Sequence, residues 1–367
     1  MIRSTVLLFA LSILYLTNVT GTTEKQEEQH PSDAHGADDA GGFDPGSFIF
    51  DHIADAHEWH IVTYKGKHIS LPLPVILISK NQGLVVFMSG KLHHGHENYE
   101  HAGSQFQLLT KGEQKGTIVE IDENGNVSEP FDLSITKNVA ALIFGAILIV
   151  WLFLSIAKRY KQRPNKAPRG IQSLLEPVII FIRDEVAKPS IGHKYEYFMP
   201  YLLTLFFFIW INNMLGLLPI IPGGANLTGD IAVTMVLAIF TFVITNIKGN
   251  KNYWQHIFNT PGVPFLLKFP FPLMPLIEVF GMLTKPIVLM IRLFANITAG
   301  HIIVLGFLSL IFIFGDMKPG LGYAVAPLSV AFNIFMSFLE LLVAFIQAYV
   351  FTFLSALYFG MAVEEHH

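Results

Sequence analysis

Two apolar runs near the carboxyl end, 272–314 and 326–361, set the strongest limit on how this sequence can fold. As helices rising about 1.5 Å per residue they would measure about 65 and 54 Å, whereas the hydrocarbon core of a bilayer is about 30 Å thick. Ordinary helix tilts of about 20° cannot absorb this excess. We therefore predict a long helical hairpin that is either steeply tilted or broken, joined by the turn sequence at 316–322.

The rest of the composition is also that of a membrane protein. Of the 367 residues, 52% are hydrophobic and only 14% are charged, whereas soluble domains carry about 25% charged residues. Three further apolar stretches, 139–157, 198–218 and 231–247, are each close to the length of about 20 residues that spans a bilayer. An amphipathic stretch at 173–188 is expected to lie on the membrane surface. The predicted fold class is an all-α polytopic membrane domain, 138–367.

A different pattern precedes the first membrane helix. Residues 1–21 are typical of a secretory signal peptide, with a retained membrane anchor as the alternative. Residues 22–47 are acidic, Gly-rich and contain histidine, which predicts a flexible leader. Residues 48–137 contain short β-type runs bounded by turn residues, which predict a small β-rich domain. The β-type runs are 61–64, 75–78, 84–88 and 117–121.

The distribution of charge predicts the orientation of these parts. A cluster of Lys and Arg from Lys158 to Arg169 follows the first membrane helix, and such clusters mark the cytoplasmic side. The β-rich domain is then extracytoplasmic, in agreement with a signal peptide, and the carboxyl end is cytoplasmic.

Histidine is concentrated in the amino-terminal third of the chain. Ten of the 15 histidines lie between His30 and His101, and such clusters can bind a divalent metal. No spaced acidic or thiolate framework accompanies them, and the chain has no cysteine. We favour a solvated polar surface and predict no metal and no cofactor.

A single arginine lies within the first long run. Arg292 has apolar neighbours on both sides, a setting that costs about 2.5–3.5 kcal/mol on insertion scales, and arginine cannot escape by losing its proton. On a helix, Glu278, Lys285 and Asn296 share the face of Arg292, whereas His301 projects to the opposite side. An ionisable residue in such a position indicates a functional site.

The second long run carries a polar stripe. Asn333, Glu340 and Gln347 recur every seven residues and therefore lie on one side of a helix. Glu340 and His301 are an acid and an imidazole, a pair that can relay protons near neutral pH. Buried hydrogen bonds between helices are the alternative interpretation. Asn213, near the outer end of the span at 198–218, is either a pathway residue or an interfacial one.

These residues resemble a known family, subunit a of bacterial F-type ATP synthases. The motif Arg-Leu-Phe-Ala-Asn at 292–296 is followed by Ala299-Gly300, then by Glu340 with Gln347 seven residues later. The best-known bacterial members have Glu at the position of His301 and His at that of Glu340; here the two are exchanged, and the acid–imidazole pair is kept. Gly216 stands where those members have an acid, which weakens any role for that position. Further matches are Glu278, Lys285-Pro286, Asn213 and the end of the chain from Met361.

The resemblance implies a stator protein beside a rotating ring of c subunits, joined to the b-subunit stalk in the bacterial inner membrane. It implies that Arg292 is a ring-facing charge barrier between two aqueous half-channels that couple proton flow to ATP synthesis. This chain has no Gly-x-x-x-x-Gly-Lys phosphate loop, so it is not expected to act on nucleotide alone. The implied proton-pathway residues are His301, Glu340, Gln347, Asn296, Asn333 and Asn213, with Glu278 on the cytoplasmic side.

Three other functions remain open from the residues alone. A proton-coupled secondary transporter would be expected to show repeated halves, which this sequence does not show. A membrane-anchored metal-binding receptor would leave the two oversized polar helices without a purpose. A structural scaffold predicts that Arg292 can be replaced without effect. The transported ion is H⁺ or Na⁺, and the acid–imidazole pair favours H⁺.

Overall fold

The computed structural model describes residues 43–64, 67–95, 97–110, 114–123, 125–162, 167–218, 224–259 and 273–364. The predicted signal peptide, and the predicted leader as far as residue 42, lie outside these ranges. The described part of the chain is mostly helical, with a β-rich region before the first long helix. The predicted fold class is confirmed.

The β-rich region begins with a short helix, α1 (Pro45–Ile53), in a stretch for which no helix was predicted. Asp44 caps this helix, because its carboxylate accepts hydrogen bonds from Gly46 N at 2.9 Å and Ser47 N at 3.2 Å. Nine strands follow in three antiparallel sheets, ordered β1-β2, β4-β3-β9 and β5-β6-β7-β8, which do not close into a barrel. The strands are β1 (Glu58–Tyr64), β2 (Lys67–Pro72), β3 (Pro74–Ser79), β4 (Gly83–Met88), β5 (Tyr99–His101), β6 (Ser104–Leu108), β7 (Ile118–Ile121), β8 (Val127–Ser128) and β9 (Phe131–Asp132).

Alternate side chains along the strands are buried and form a small core. Val75 and Leu77 of β3 face Phe87 of β4 and Phe106 of β6 in one buried cluster, as expected for strands with one face in the core. Asp132 of β9 binds His57 Nε2 at 2.8 Å and so ties the end of the sheet to the segment after α1. Burial alone would raise the pKa of Asp132, but the hydrogen bond and charge of His57 and hydrogen bonds from Ser134 bring it below its ordinary value.

Five helices among the described residues are long and apolar enough to cross a membrane. The first, α2, begins two residues earlier and ends five residues later than predicted. The continuous helical stretch Ile171–Gly216 is the second. The helices are α2 (Lys137–Gln162), α3 (Ile171–Phe181), α4 (Lys188–Ile191), α5 (Tyr195–Gly216), α6 (Ile231–Lys248), α7 (Lys251–Phe258), α8 (Leu273–Met317) and α9 (Pro319–Val363).

The amphipathic stretch predicted at 173–188 joins α5 with little interruption. A π-helical turn at Ile182–Ala187 connects α3 to α4, and a 3₁₀ turn at Gly192–Lys194 connects α4 to α5. The charges in this stretch pair with one another, because Asp184 binds both Arg183 at 2.8 Å and Lys188 at 2.7 Å. The chain therefore stays helical through these charged residues and into α5.

The hairpin consists of two unbroken helices of 45 residues each, about 68 Å long at 1.5 Å per residue. Of the two arrangements that the sequence allowed, the structure has the unbroken one, which must tilt steeply to fit a bilayer about 30 Å thick. The turn is shorter than the predicted 316–322, since only Lys318 separates the helices. Glycine makes this close turn possible, because a Cβ on Gly322 would lie 2.8 Å from Gly315 Cα.

The β-rich region contacts this turn through α1 and the residue before its cap. Phe43 N donates to Asp316 Oδ2 at 2.6 Å. The rings of Phe43 and Phe48 lie 5.1 and 6.1 Å from the ring of Phe312. The turn end of the hairpin thus contacts the amino-terminal part of the chain.

Candidate functional site

Two of the predicted site residues meet across the hairpin. His301 Nδ1 of α8 lies 3.2 Å from Glu340 Oε1 of α9. Glu340 is 9% exposed and His301 is half-buried. Gly300 lets the carboxylate come this close, because a Cβ at that position would lie 2.7 Å from Glu340 Oε1. The pair is an acid and an imidazole within hydrogen-bond reach, as a proton relay requires.

A small cavity with a mixed polar and apolar lining adjoins this pair. Its free space is about 10 Å³, about the volume that one water molecule needs. The end of α5 closes one side, where a Cβ on Gly216 would lie 3.9 Å from His301 Nε2. The position that carries an acid in some similar proteins thus lies beside the imidazole. The cavity is lined by Asn213, Leu217, Asn296, Ile297, His301, Glu340, Val343 and Ala344.

The two neighbouring asparagines of α5 have different surroundings. Asn212 donates to Phe208 O of its own helix at 2.7 Å and packs against Gly145 of α2. Asn213 lines the cavity and accepts a hydrogen bond from Thr228 Oγ1. The structure therefore places Asn213, and not Asn212, at the candidate site.

A second cavity, mainly apolar but with several polar side chains in its lining, lies farther along α8, toward its amino-terminal end. Lys285 lies over the ring of Tyr358, with Nζ 5.5 Å from the ring centroid. Tyr253 donates to Asn246 Oδ1 at 3.3 Å. This cavity also has about 10 Å³ of free space. It is lined by Ala238, Thr241, Phe242, Thr245, Asn246, Tyr253, Met282, Lys285, Pro286, Leu289 and Tyr358.

Arg292 lies between the two cavities along α8 and lines neither of them. Leu289 closes the second cavity, and Asn296 belongs to the first. These two residues are seven positions apart, about 10 Å along a helix. Leu289 and Leu293 are each 1% exposed and fill the space between the cavities. Arg292 itself is exposed on the outer face of the hairpin.

The exposed residues next to Arg292 on α8 are mostly apolar, with Asn296 as the polar exception. Val288 and Ile291 lie beside it in the helix and are 47% and 49% exposed. Exposed apolar side chains continue on α9, where Phe335 and Phe338 are 58% and 70% exposed. Exposed apolar side chains on both helices of the hairpin indicate contact with lipid or with another protein.

The remaining predicted residues lie outside the first cavity. Gln347 is buried on α9, two turns from Glu340. Asn333 is half-buried, two turns from Glu340 in the other direction. Glu278 lies near the start of α8, with Oε1 3.9 Å from His256 Nδ1. The structure thus brings together His301, Glu340, Asn296 and Asn213, and leaves Gln347, Asn333 and Glu278 on the flanks.

Sequence reasoning did not single out several polar residues in or next to the two cavities. Thr241 and Thr245 are one turn apart in an apolar span, and polar residues in such spans indicate contacts between helices. That signal could have identified them. Thr228 lies in a 3₁₀ turn, Leu227–Gly229, that no periodic pattern indicates.

No group of three His, Asp or Glu side chains in the described part of the chain is placed to hold a metal ion. The side chains of His93, His94 and His96, which belong to the histidine cluster, fall outside that part.

Comparison with known proteins identifies the helical part of the chain. The model of the ATP synthase A chain family matches residues 139–360, from the third residue of α2 to almost the end of α9. This chain belongs to the ATP synthase A chain family. Residues 48–139 match a second model, described as a domain of unknown function.

Individual members of the family are similar over the same region. The chain is 44% identical to ATP synthase subunit a of Chloroherpeton thalassium, over 64% of this chain and 69% of that protein. It is 49% identical to ATP synthase subunit a 2 of Chlorobaculum tepidum, over 64% of this chain and 65% of that protein. It is 43% identical to ATP synthase subunit a of Myxococcus xanthus, over 64% of this chain and 75% of that protein.

Membership in the A chain family agrees with the five apolar helices. The chain is a multi-pass membrane protein and a component of the membrane sector of an F-type ATP synthase. Nothing in the comparisons favours a secondary transporter. The cavities on either side of Arg292 are therefore features of an ATP synthase A chain.

Proposed function

We propose that this A chain is the stator subunit that provides two aqueous half-channels for protons at the rim of a rotating c-subunit ring. The observation that carries the proposal is the position of Arg292 between two small cavities, each of which has polar side chains in its lining. One cavity contains the His301–Glu340 pair, and the other contains Lys285. With a fixed charge between two separate cavities, protons cannot pass directly from one cavity to the other within this chain. Such an arrangement suits a path on which a second subunit carries the proton between the two cavities.

The outer half-channel delivers protons to the ring. In this proposal, protons reach the His301–Glu340 pair through the cavity lined by Asn213 and Asn296. The pair then passes a proton to a carboxylate of the ring. Neutralisation lowers the cost of moving that carboxylate into lipid, because an ionised carboxylate is far more expensive to bury than a neutral one.

Arg292 separates the two half-channels. Its exposed guanidinium can attract an ionised ring carboxylate, and its proton is retained because the arginine pKa is above about 12. It therefore does not pass protons directly between the cavities. Leu289 and Leu293 exclude water from the space behind it.

The inner half-channel releases protons to the cytoplasm. This route passes through the second cavity, which contains Lys285, and then past Glu278, which lies beyond the cavity on α8. Proton flow is driven by about 2.3 kcal/mol per charge for each 100 mV of membrane potential, which the ring converts into rotation. Asn333 and Gln347 extend the polar side of α9 on either side of Glu340.

The orientation follows from the basic cluster after α2. We place the β-rich region and the hairpin turn outside the bacterial inner membrane, and the carboxyl end in the cytoplasm. The apolar hairpin face around Arg292 faces the c ring, and the chain is anchored to the b-subunit stalk.

The test is ATP-driven proton pumping in inverted vesicles that carry the whole complex. The Arg292→Ala variant is expected to abolish pumping while the complex still assembles, because the barrier between the half-channels is lost. Passive proton leak in the same vesicles should rise. Ile291→Ala is the matched control, since Ile291 is the adjacent exposed residue and carries no charge.

Normal pumping by an assembled Arg292→Ala complex would contradict the proposal and favour a structural scaffold. Loss of pumping in the Ile291→Ala control as well would show that the hairpin surface, and not its charge, is required. Pumping by the control alone supports the assignment of Arg292.

A further inference from the structure

A polar cluster joins the domain of unknown function to the membrane helices. Asp55, an exposed residue just after α1, accepts hydrogen bonds from Ala56 N and from Asn138 N of α2, both at 2.9 Å. Lys137 Nζ donates to two backbone carbonyls of the same segment, Ala54 O at 2.9 Å and His52 O at 3.3 Å. A solvent-exposed carboxylate is thus fixed at the outer end of the first membrane helix.

Asn138 connects this carboxylate to a second one. Its side chain is 3% exposed and donates from Nδ2 to Asp230 Oδ2 at 3.4 Å. Asp230 caps α6, accepting from Ala232 N at 2.8 Å, and is half-buried just before that span begins. Burial raises the pKa of Asp230, although the hydrogen bond from Ala232 opposes this. Asp230 can therefore bind a proton more readily than an exposed carboxylate can.

From Asp230 the polar residues continue to the first cavity. The 3₁₀ turn before Asp230 carries Thr228, which is 1% exposed and donates to Asn213 Oδ1. Asn213 lines the cavity that contains His301 and Glu340. Polar side chains thus lie at intervals between Asp55 at the surface and the acid–imidazole pair.

Buried atoms without partners are concentrated along the same line. In the described part of the chain, six buried side-chain N or O atoms have no hydrogen-bond partner. Three of the six are Asn138 Oδ1, Asn226 Nδ2 and Asn213 Nδ2. Buried polar groups in proteins are normally satisfied by protein or by ordered water. These three atoms indicate a hydrated route between Asp55 and the cavity.

We propose that the outer half-channel opens at this junction and that Asp55, supplied by the domain of unknown function, is its first proton-accepting group. Asp55 takes a proton from solvent or buffer, and the proton leaves it for Asp230 through the hydrated space at Asn138. Asp230 then releases the proton toward Asn213 and the His301–Glu340 pair. This inference rests on the proposed proton-channel function.

The charged groups at this junction are consistent with collection of protons. Asp55 and Asp230 are two acids that share one bridging asparagine, and Lys137 is the cation beside them. His57 and Asp132 pair with each other on the adjoining sheet end. The alternative role for Asp55 is purely structural, as the cap of α2. The Asp55→Asn substitution separates the two roles, because the amide oxygen can still accept from Asn138 N but cannot take up a proton at neutral pH.

The experiment is ATP synthesis by the whole complex in liposomes, driven by an imposed proton gradient with the extracytoplasmic side facing the lumen. The lumenal buffer concentration is varied, and rates are compared with wild type at each concentration. At low buffer we expect Asp55→Asn to be slower by about tenfold, below the usual range for a positioned proton-transfer group because mobile acids replace it in part. At high buffer we expect the rate to recover.

Two further variants sharpen the result. Glu100→Gln removes an exposed acid from β5 of the same domain, away from the junction, and should match wild type at every buffer concentration. Asp230→Asn keeps an acceptor for Ala232 N and should show the same loss at low buffer as Asp55→Asn, with weaker recovery because Asp230 is half-buried.

Equal rates for Asp55→Asn and wild type at low buffer would overturn the inference and leave the channel function standing. A slow rate that high buffer does not restore, or failure of the variant complex to assemble, would assign Asp55 to structure and also overturn it. If Arg292→Ala, with Asp55 unchanged, has no effect on proton pumping, that result would instead contradict the proposed function on which the inference depends.

Discussion

The hairpin and the shorter membrane helices of this chain place their polar residues in different surroundings. In the most apolar window of Ile171–Gly216, which ends in α5, 50% of the residues are buried within the chain, and the share in α6 is 44%. In α8 and α9 the shares are only 11% and 17%. The hairpin is therefore the least covered part of the membrane domain, although it carries Arg292, His301 and Glu340.

The polar side chains of α5 and α6 bond mainly to the chain itself. Thr241 lies 2.9 Å from Tyr201 Oη, and Thr245 donates to Thr241 O at 2.7 Å. On the hairpin, Arg292 points to an exposed apolar face. An arginine in that position is costly unless another protein or water meets it. We infer that α5 and α6 form a completed core, in the sense that their polar groups are mainly bonded within this chain. The hairpin, in contrast, is one half of an interface.

The largest expected effect that tests this contrast is at the pair inside the hairpin. Glu340→Gln keeps the size of the side chain but cannot exchange a proton with His301, so ATP-driven pumping should fall by about 100-fold or more. Ser309→Ala is the control on the same hairpin, because Ser309 is buried but bonds only to Leu305 O of its own helix at 2.8 Å. Pumping should be near normal in the control.

The exchange of the two side chains sharpens the same test. His301→Glu with Glu340→His restores an acid and an imidazole in the order that other bacterial members have, and we expect it to recover part of the pumping that either single substitution loses. No recovery would show that the surrounding cavity distinguishes the two positions. Normal pumping by Glu340→Gln would remove the pair from the proton path.

A smaller effect is expected from a change in packing beside the pair. A Cβ on Gly300 would lie 2.7 Å from Glu340 Oε1, so Gly300→Ala should push the carboxylate away from His301 at a cost of about 1–3 kcal/mol. We expect pumping to fall by about tenfold, the change that about 1.4 kcal/mol produces. Gly306→Ala is the matched control, since nothing lies within 4 Å of a Cβ there. Equal pumping by the two variants would contradict the close approach.

The contrast between the two regions also explains how much of the fold could be predicted. Length and polarity alone identified the hairpin, because apolar runs of this length can be arranged in a bilayer in only a few ways. The strand runs of the β-rich region were predicted from β-type residues and the turn residues that bound them, and β1, β3, β4 and β7 confirm them. The helix α1 was missed, although Asp44 followed by Pro45 is a local signal for a helix start. Its packing against Phe312 could not be read from the local sequence.

The junctions between helices were the least predictable parts. Whether α3 continues into α5 depends on contacts with a distant segment, such as the approach of Gly360 to Ser190 O, and not on local periodicity. The same limit applies to the candidate site. Heptad spacing placed Glu340 on a polar stripe, but Thr228 and Asn226 come from a loop whose position is set only by the folded chain.

The smallest expected effect compares two neighbours in the completed core, Asn212 and Asn213. Asn212→Ala removes a hydrogen bond to Phe208 O, and buried polar contacts of this kind contribute about 0.6 kcal/mol on average in membrane proteins. We expect slightly lower thermal stability of the complex and unchanged pumping. Asn213→Ala removes a cavity side chain and should slow pumping a few-fold with similar stability, because water can replace part of its role.

Measuring both pumping and thermal stability in both variants decides where the boundary between core and pathway lies. If Asn212→Ala slows pumping as much as Asn213→Ala, α5 contributes to the path through its packing against Gly145, and the division between completed core and interface fails there. If only Asn213→Ala slows pumping, the boundary runs between two consecutive residues. In that case the side of α5 that faces the hairpin belongs to the proton path, and the side that faces α2 belongs to the core.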